Sequence, residues 1–192
     1  MSPINMNSAK MPFLNYIGFF CLTILAFFPI PLARASSSQT SASYRLRTVL
    51  KPTSYGKPQF ANLYLAAFHT GAGISDVTFT HDAAESYSVH LQGSQLFFDV
   101  GPDLAWGMML VTVHPYSAWG TVEMRAGDTM GQDVFRFGGT GLEVHGFPVL
   151  GWLVCDWWHG VPQLFWRNMG YDIDRYPAPA GCADVTLVQE AV

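Results

Sequence analysis

The chain has 192 residues, of which 49% are hydrophobic and only 12% charged, and its formal net charge is −4. That length suits one domain with a full core. A sparse, mildly acidic charge set without a basic cluster excludes nucleic acid and anionic membrane surfaces as expected partners.

The first segment, residues 1–35, reads as a secretory signal peptide. Met1 to Lys10 is polar and ends in a positive charge, and the apolar run "FLNYIGFFCLTILAFFPIPLARA" then extends from Phe13 to Ala35. Ala33-Arg34-Ala35 supplies the small-x-small cleavage site. Pro29 and Pro31 break the helix just before it, which favours cleavage over a retained anchor. Cleavage after Ala35 leaves about 157 residues and, with Lys10 and Arg34 gone, a charge of about −6. The expected location is extracellular, either free or associated with a cell wall. Cys21 departs with the signal, leaving Cys155 and Cys182. An even pair in an oxidising compartment is expected to form one disulfide.

Residues 36–43, ending the stretch "SSSQTSAS", read as a flexible Ser-rich leader. The remainder, residues 44–192, reads as a single all-β domain. "YRLRTVL" alternates from Tyr44, "NLYLAAFH" follows a Pro-Gln break, and "DVTFT", "YSVHLQ", "SQLFFDV" and "GMMLVTV" continue the texture. Short apolar runs bounded by Gly, Pro, Asp and Asn predict strands. "DAAESYS" near Asp82 is the one plausible helical turn. About eleven short strands predict an antiparallel β-sandwich or barrel-like fold, with a β-trefoil as the alternative. A trefoil would repeat about every 50 residues, and no such period emerges; "LAWG" at Leu104 and "SAWG" at Ser117 echo each other too closely for that.

The segment "GWLVCDWWHGVPQLFWRNMGYDIDRYPAPAGC", Gly151 to Cys182, holds four of the six tryptophans. Period two sends Leu153, Cys155 and Trp157 one way and Trp152, Val154 and Asp156 the other. Trp158-His159-Gly160 falls where a hairpin turn belongs, with Gly160 free to take positive φ. On the return strand, Leu164 and Trp166 share a face opposite Gln163, Phe165 and Arg167. Large aromatics on both faces mean a central hairpin, or one face presented to a ligand.

"NLYLAAFHTGAGISDVTFT", "FFDVG…AWGMML" and "GWLVCDWWHGVPQLFW" resemble a family of small secreted fungal proteins catalogued as a domain of unknown function, some members of which are labelled IgE-binding or allergen-like. The resemblance runs from Tyr44 to Val188. It implies an extracellular fungal origin and an all-β fold, and it assigns no catalytic residues.

Asp156 and His159 form a D-x-x-H pattern that would serve general base chemistry or supply two metal ligands, with His69 or His145 as a third. The blander reading is a turn aspartate and a loop-tip histidine. "HTGAGISD", His69 to Asp76, leads into a strand rather than a helix, so it reads as a hairpin loop and not a phosphate cradle. Glu123 and Glu143 alternate toward water, a setting unlike that of a glycosidase acid. No serine-hydrolase elbow or zincin motif is present. No catalytic residue, metal or cofactor is assigned. The reading is a non-catalytic module that binds extracellular polysaccharide or a host protein through Trp157, Trp158 and His159, with Asp156 and Tyr171 nearby. The alternatives are a secreted hydrolase using Asp156 and His159, or a carrier of a small apolar ligand lined by Phe97, Phe98, Met108 and Met109. The sequence carries no signature of an oligomeric state.

Overall fold

The computed structural model describes residues 42–112, 117–127, 131–172 and 174–192. Residues 1–35, expected to be a signal peptide, and residues 36–41 of the expected leader lie outside the described residues. Twelve strands follow in chain order: β1 Tyr44–Leu50, β2 Tyr64–Gly71, β3 Ile74–Thr80, β4 Ser88–Gln92, β5 Gln95–Phe98, β6 Trp106–Val111, β7 Trp119–Ala126, β8 Phe135–Gly138, β9 Gly141–Val144, β10 Val149–Asp156, β11 Pro162–Asn168 and β12 Cys182–Ala191. A single turn of 3-10 helix, Ala83–Glu85, occupies the predicted "DAAESYS" site and is capped by the Asp82 carboxylate on the Ala84 N–H.

All the strand pairings are antiparallel, and the sheet closes into a barrel. Ten strands connect in the order β10-β12-β1-β2-β3-β11-β7-β6-β5-β4, with β10–β11, β1–β4 and β3–β7 as further pairings, while β8 and β9 form a separate hairpin. The all-β, barrel-like expectation therefore holds, and a two-layer sandwich does not describe the closure. The pairings also repeat with a step of four strands. Hairpins β2–β3, β6–β7 and β10–β11 are equivalent, and so are pairs β4–β5, β8–β9 and β12–β1. Strands β3, β7 and β11 pair with one another in all three combinations. The Tyr87 N–H donates to Leu65 O ahead of β4, and the Gln132 N–H donates to Met108 O ahead of β8; the β12–β10 ladder takes the corresponding place in the third set. This threefold pattern is that of a β-trefoil, the alternative raised from the sequence.

Alternation builds the core. On β7, Val122 and Met124 are buried while Thr121, Glu123 and Arg125 face away, as period two requires. On β10 and β11 the split is two-sided. Trp152, Val154, Leu164 and Trp166 enter the main core with Leu46, Phe60, Leu65, Met108 and Leu187. Leu153, Cys155, Phe165 and Cys182 form a second cluster, covered by Trp119 and Ala178. Both faces of this hairpin are thus buried, so it is central to the fold. The disulfide joins Cys155 to Cys182, which are cross-strand partners on β10 and β12. Closing a loop of 27 residues restricts the unfolded chain, an effect of about 3 kcal/mol.

The barrel lumen is filled with side chains. Met108, Phe97 and Phe98 are all buried, and Met108 and Phe98 belong to the main core, so these three serve as packing, while Met109, the fourth residue proposed to line a carrier cavity, is only half-buried. Trp166 reaches over β7 at Gly120, where a Cβ would fall 2.5 Å from the indole Nε1 and 2.3 Å from Val111 O. Only glycine permits that approach, and the indole N–H donates to the same Val111 oxygen at 3.1 Å.

Candidate functional site

The turn between β10 and β11 lies where the sequence places it. Gly160 adopts φ 75° and its N–H donates to Trp157 O, a conformation that costs glycine little. Trp157 and Trp158 project outward, 46% and 75% exposed. Trp157 stands edge-on to buried Phe165, with ring centres 5.2 Å apart. Trp158 leans on the His159 imidazole at 4.1 Å, and the other face of that imidazole stacks on Phe68 of β2 at 4.0 Å.

His159 is not the exposed tip residue that its neighbours suggest. Its side chain is 1% exposed, and its Nε2 lies 2.6 Å from Oδ2 of Asp76 on β3. The carboxylate is an acceptor, so Nε2 carries the proton and donates to it. Nδ1 is buried without a hydrogen-bond partner among the described residues. The histidine thus ties the β10–β11 tip to the β2–β3 hairpin through one polar bond and one ring stack. Asp156, the partner expected from D-x-x-H, is exposed at the end of β10, and its N–H donates to Gly181 O. The Asp156–His159 couple is therefore corrected to Asp76–His159. Asp76 ends the "HTGAGISD" segment, but nothing local marks it as a partner 83 positions away.

Asp76 also faces Glu123 directly across the β3–β7 ladder. Both carboxylates are engaged, Asp76 by His159 and Glu123 by the Arg125 guanidinium at 2.9 Å. Nearby on the third strand of this junction, Gln163 sits opposite Thr78, and both are buried. Its Oε1 has no partner among the described residues. The three hairpins thus converge on polar side chains, with the aromatic tip at one edge.

The other candidates disperse. Tyr171 packs edge-on against Tyr176 at 5.1 Å in the loop before β12, so its ring partner is there and not at the tip. His69 is exposed on β2 and His145 in the loop after β9, and among the described residues no three His, Cys, Asp or Glu side chains converge as a metal would need. Glu143 pairs with Arg136 at 2.9 Å. In the "HTGAGISD" turn Gly73 takes φ 71°, and Gly71 stays in ordinary backbone space beside a bulge.

One acidic group away from the tip is tuned by its surroundings. Asp99, after β5, accepts from the Ser88 hydroxyl at 2.8 Å and meets His90 Nδ1 at 2.6 Å. Partial burial pushes its carboxyl up, but hydrogen bonds from Ser88, Ser43 and His90, with the charge of His90, outweigh that and hold it below the ordinary 3.8.

Residues 41–191 match the family described as Domain of unknown function (DUF7907), and the chain belongs to that family. This agrees with the resemblance seen in the sequence as far as a family of unknown function goes. No curated protein and no solved structure matches the chain.

Proposed function

We propose that this member of the DUF7907 family is a secreted, non-catalytic binding domain whose β10–β11 tip holds an extracellular polysaccharide. The observation that carries the reading is Trp158, an indole three-quarters exposed yet stacked on a buried imidazole. Phe68 and Asp76 fix that imidazole from two further sides, so the outer indole face is held in place before any ligand arrives. A fixed aromatic face loses little conformational freedom on binding, and sugar rings offer apolar CH patches to it. Trp157 widens the shelf, and exposed Asp156 beside it offers an acceptor for sugar hydroxyls. The internal disulfide suits an oxidising extracellular setting, and among the described residues no helix is long and apolar enough to cross a membrane.

A hydrolytic role at the same place has less support. His159 has one nitrogen engaged by Asp76 and the other buried, and no hydroxyl or thiol nucleophile contacts it among the described residues.

The test is retention on insoluble chitin, β-glucan and mannan. Wild-type protein should be retained on at least one of these. Trp158→Ala should abolish retention while changing unfolding stability by no more than about 0.5 kcal/mol, as for an exposed side chain. Retention of Trp158→Ala equal to wild type would remove the tip from the account.

A further inference from the structure

A different part of the molecule carries an unassigned cavity. It lies between the β8–β9 hairpin and the β10–β12 ladder and has a volume of about 400 Å³, within the size range of small-molecule sites. Its wall combines Lys51, Thr140, Glu143, Leu150, Trp152 and Thr186.

Lys51 distinguishes this cavity. Arg47, Arg125, Arg136 and Arg167 each meet a carboxylate, and Lys57 meets two backbone carbonyls. The Lys51 ammonium, like the guanidinium groups of Arg45 and Arg175, meets neither kind of acceptor among the described residues, and of these three only Lys51 lines the cavity. Its backbone is pinned by donation to Asp184 O at 2.9 Å. Its Nζ lies over Gly151, 2.8 Å from where a Cβ would stand, so the missing side chain makes room for the ammonium at the cavity wall.

The remaining charges are balanced. Glu143 is countered by Arg136, so Lys51 leaves the cavity with one net positive charge on a chain whose total is −4. An unpaired cation in a partly enclosed site favours an anion. The Thr186 hydroxyl is half-buried with no partner among the described residues, and Thr140 and Glu143 add acceptors, which suits a hydroxylated ligand. Trp152 spends its N–H on Leu142 O at 2.8 Å and so contributes apolar surface, as does Leu150 at the rim.

We propose that this cavity binds a small hydroxylated organic carboxylate, its carboxylate on Lys51 and its hydroxyls on Thr186 and Glu143. The site shares no residue with the aromatic tip and does not depend on it.

The experiment is an amide chemical-shift titration of the disulfide-intact protein with glucuronate, and with glucose as the uncharged control. Glucuronate should shift the amides of Lys51, Gly151 and Thr186, and glucose at equal concentration should not. Lys51→Met should weaken glucuronate binding about tenfold or more, the loss of one charge-assisted contact. Gly151→Ala keeps the charge but displaces the ammonium and should weaken binding as well. Added salt should do the same to the wild-type protein, which keeps the test open if a variant fails to fold. Trp158→Ala should leave the titration unchanged. Equal binding of glucose and glucuronate, shifts confined to other regions, no shifts at all, or undiminished affinity in a folded Lys51→Met would overturn the assignment.

Discussion

Trp166 and Trp158 belong to one hairpin and meet opposite ends. Trp166 is 2% exposed, its N–H donates to Val111 O, and β7 supplies a glycine where its ring must pass. Trp152 behaves alike, donating to Leu142 O. Among the described residues Trp158 has none of these provisions, only a ring stack on His159 and a face open to solvent. A buried indole needs an acceptor for its N–H and space made by its neighbours. Where neither is built, the indole stays outside, and here it is ordered without being buried. The body of the hairpin thus serves stability, and its tip is left for recognition.

The sharpest way to break that division is at the body. Trp166→Ala should lose about 3–5 kcal/mol of unfolding free energy by guanidinium titration. A loss no larger than that of Trp158→Ala would erase the contrast. Next comes the covalent tie: replacing Cys155 and Cys182 together by serine should cost about 2–4 kcal/mol. The thermal midpoint compared with and without reductant measures the same quantity. The junction between body and tip is third. Asp76→Ala leaves buried Nε2–H of His159 unpaired and should cost about 1–3 kcal/mol. It should also free the Trp158 ring, read as a rise in indole motion by NMR relaxation; a ring that stays fixed would show that Asp76 does not position the tip.

The smallest effect lies away from the hairpin, at Asp99. A carboxyl held below its ordinary value contributes stability above that value and loses it as pH falls through the lowered one. Asp99→Asn should therefore be slightly less stable than wild type at neutral pH, with the gap closing in strong acid. Partial exposure keeps the gap small. A gap that persists in acid would assign it to hydrogen bonding by the side-chain shape and not to charge.

Much of the fold was legible because strand alternation and turn glycines are local signals. The faces of Trp152 and Leu153, the turn at Gly160 and the Cys155–Cys182 bond all follow from spacing and the expected oxidising compartment. The threefold pairing was hidden because equivalent strands carry unlike residues. Where β3, β7 and β11 meet, the opposing pairs are Asp76 with Glu123, Thr121 with Phe165 and Gln163 with Thr78. The "LAWG" and "SAWG" echo misleads, since Trp106 and Trp119 begin the two strands of one hairpin and are not equivalents. The burial of His159 was also out of reach, since its cover comes from Phe68 and Asp76, far away in sequence. Exposed Trp157 and Trp158 could be placed because a doubled tryptophan at a turn has little to pack against.

The β1–β12 ladder sets the order in which this protein can be completed. Tyr44 lies opposite Ala191 and Leu50 opposite Val185, so the first of the described strands to leave the ribosome must wait for the last of them. Until then β1 has an unsatisfied edge, and the barrel stays open through most of synthesis. Closure over so long a stretch of chain makes slow folding the expectation, with the ten residues of β12 acting as the latch.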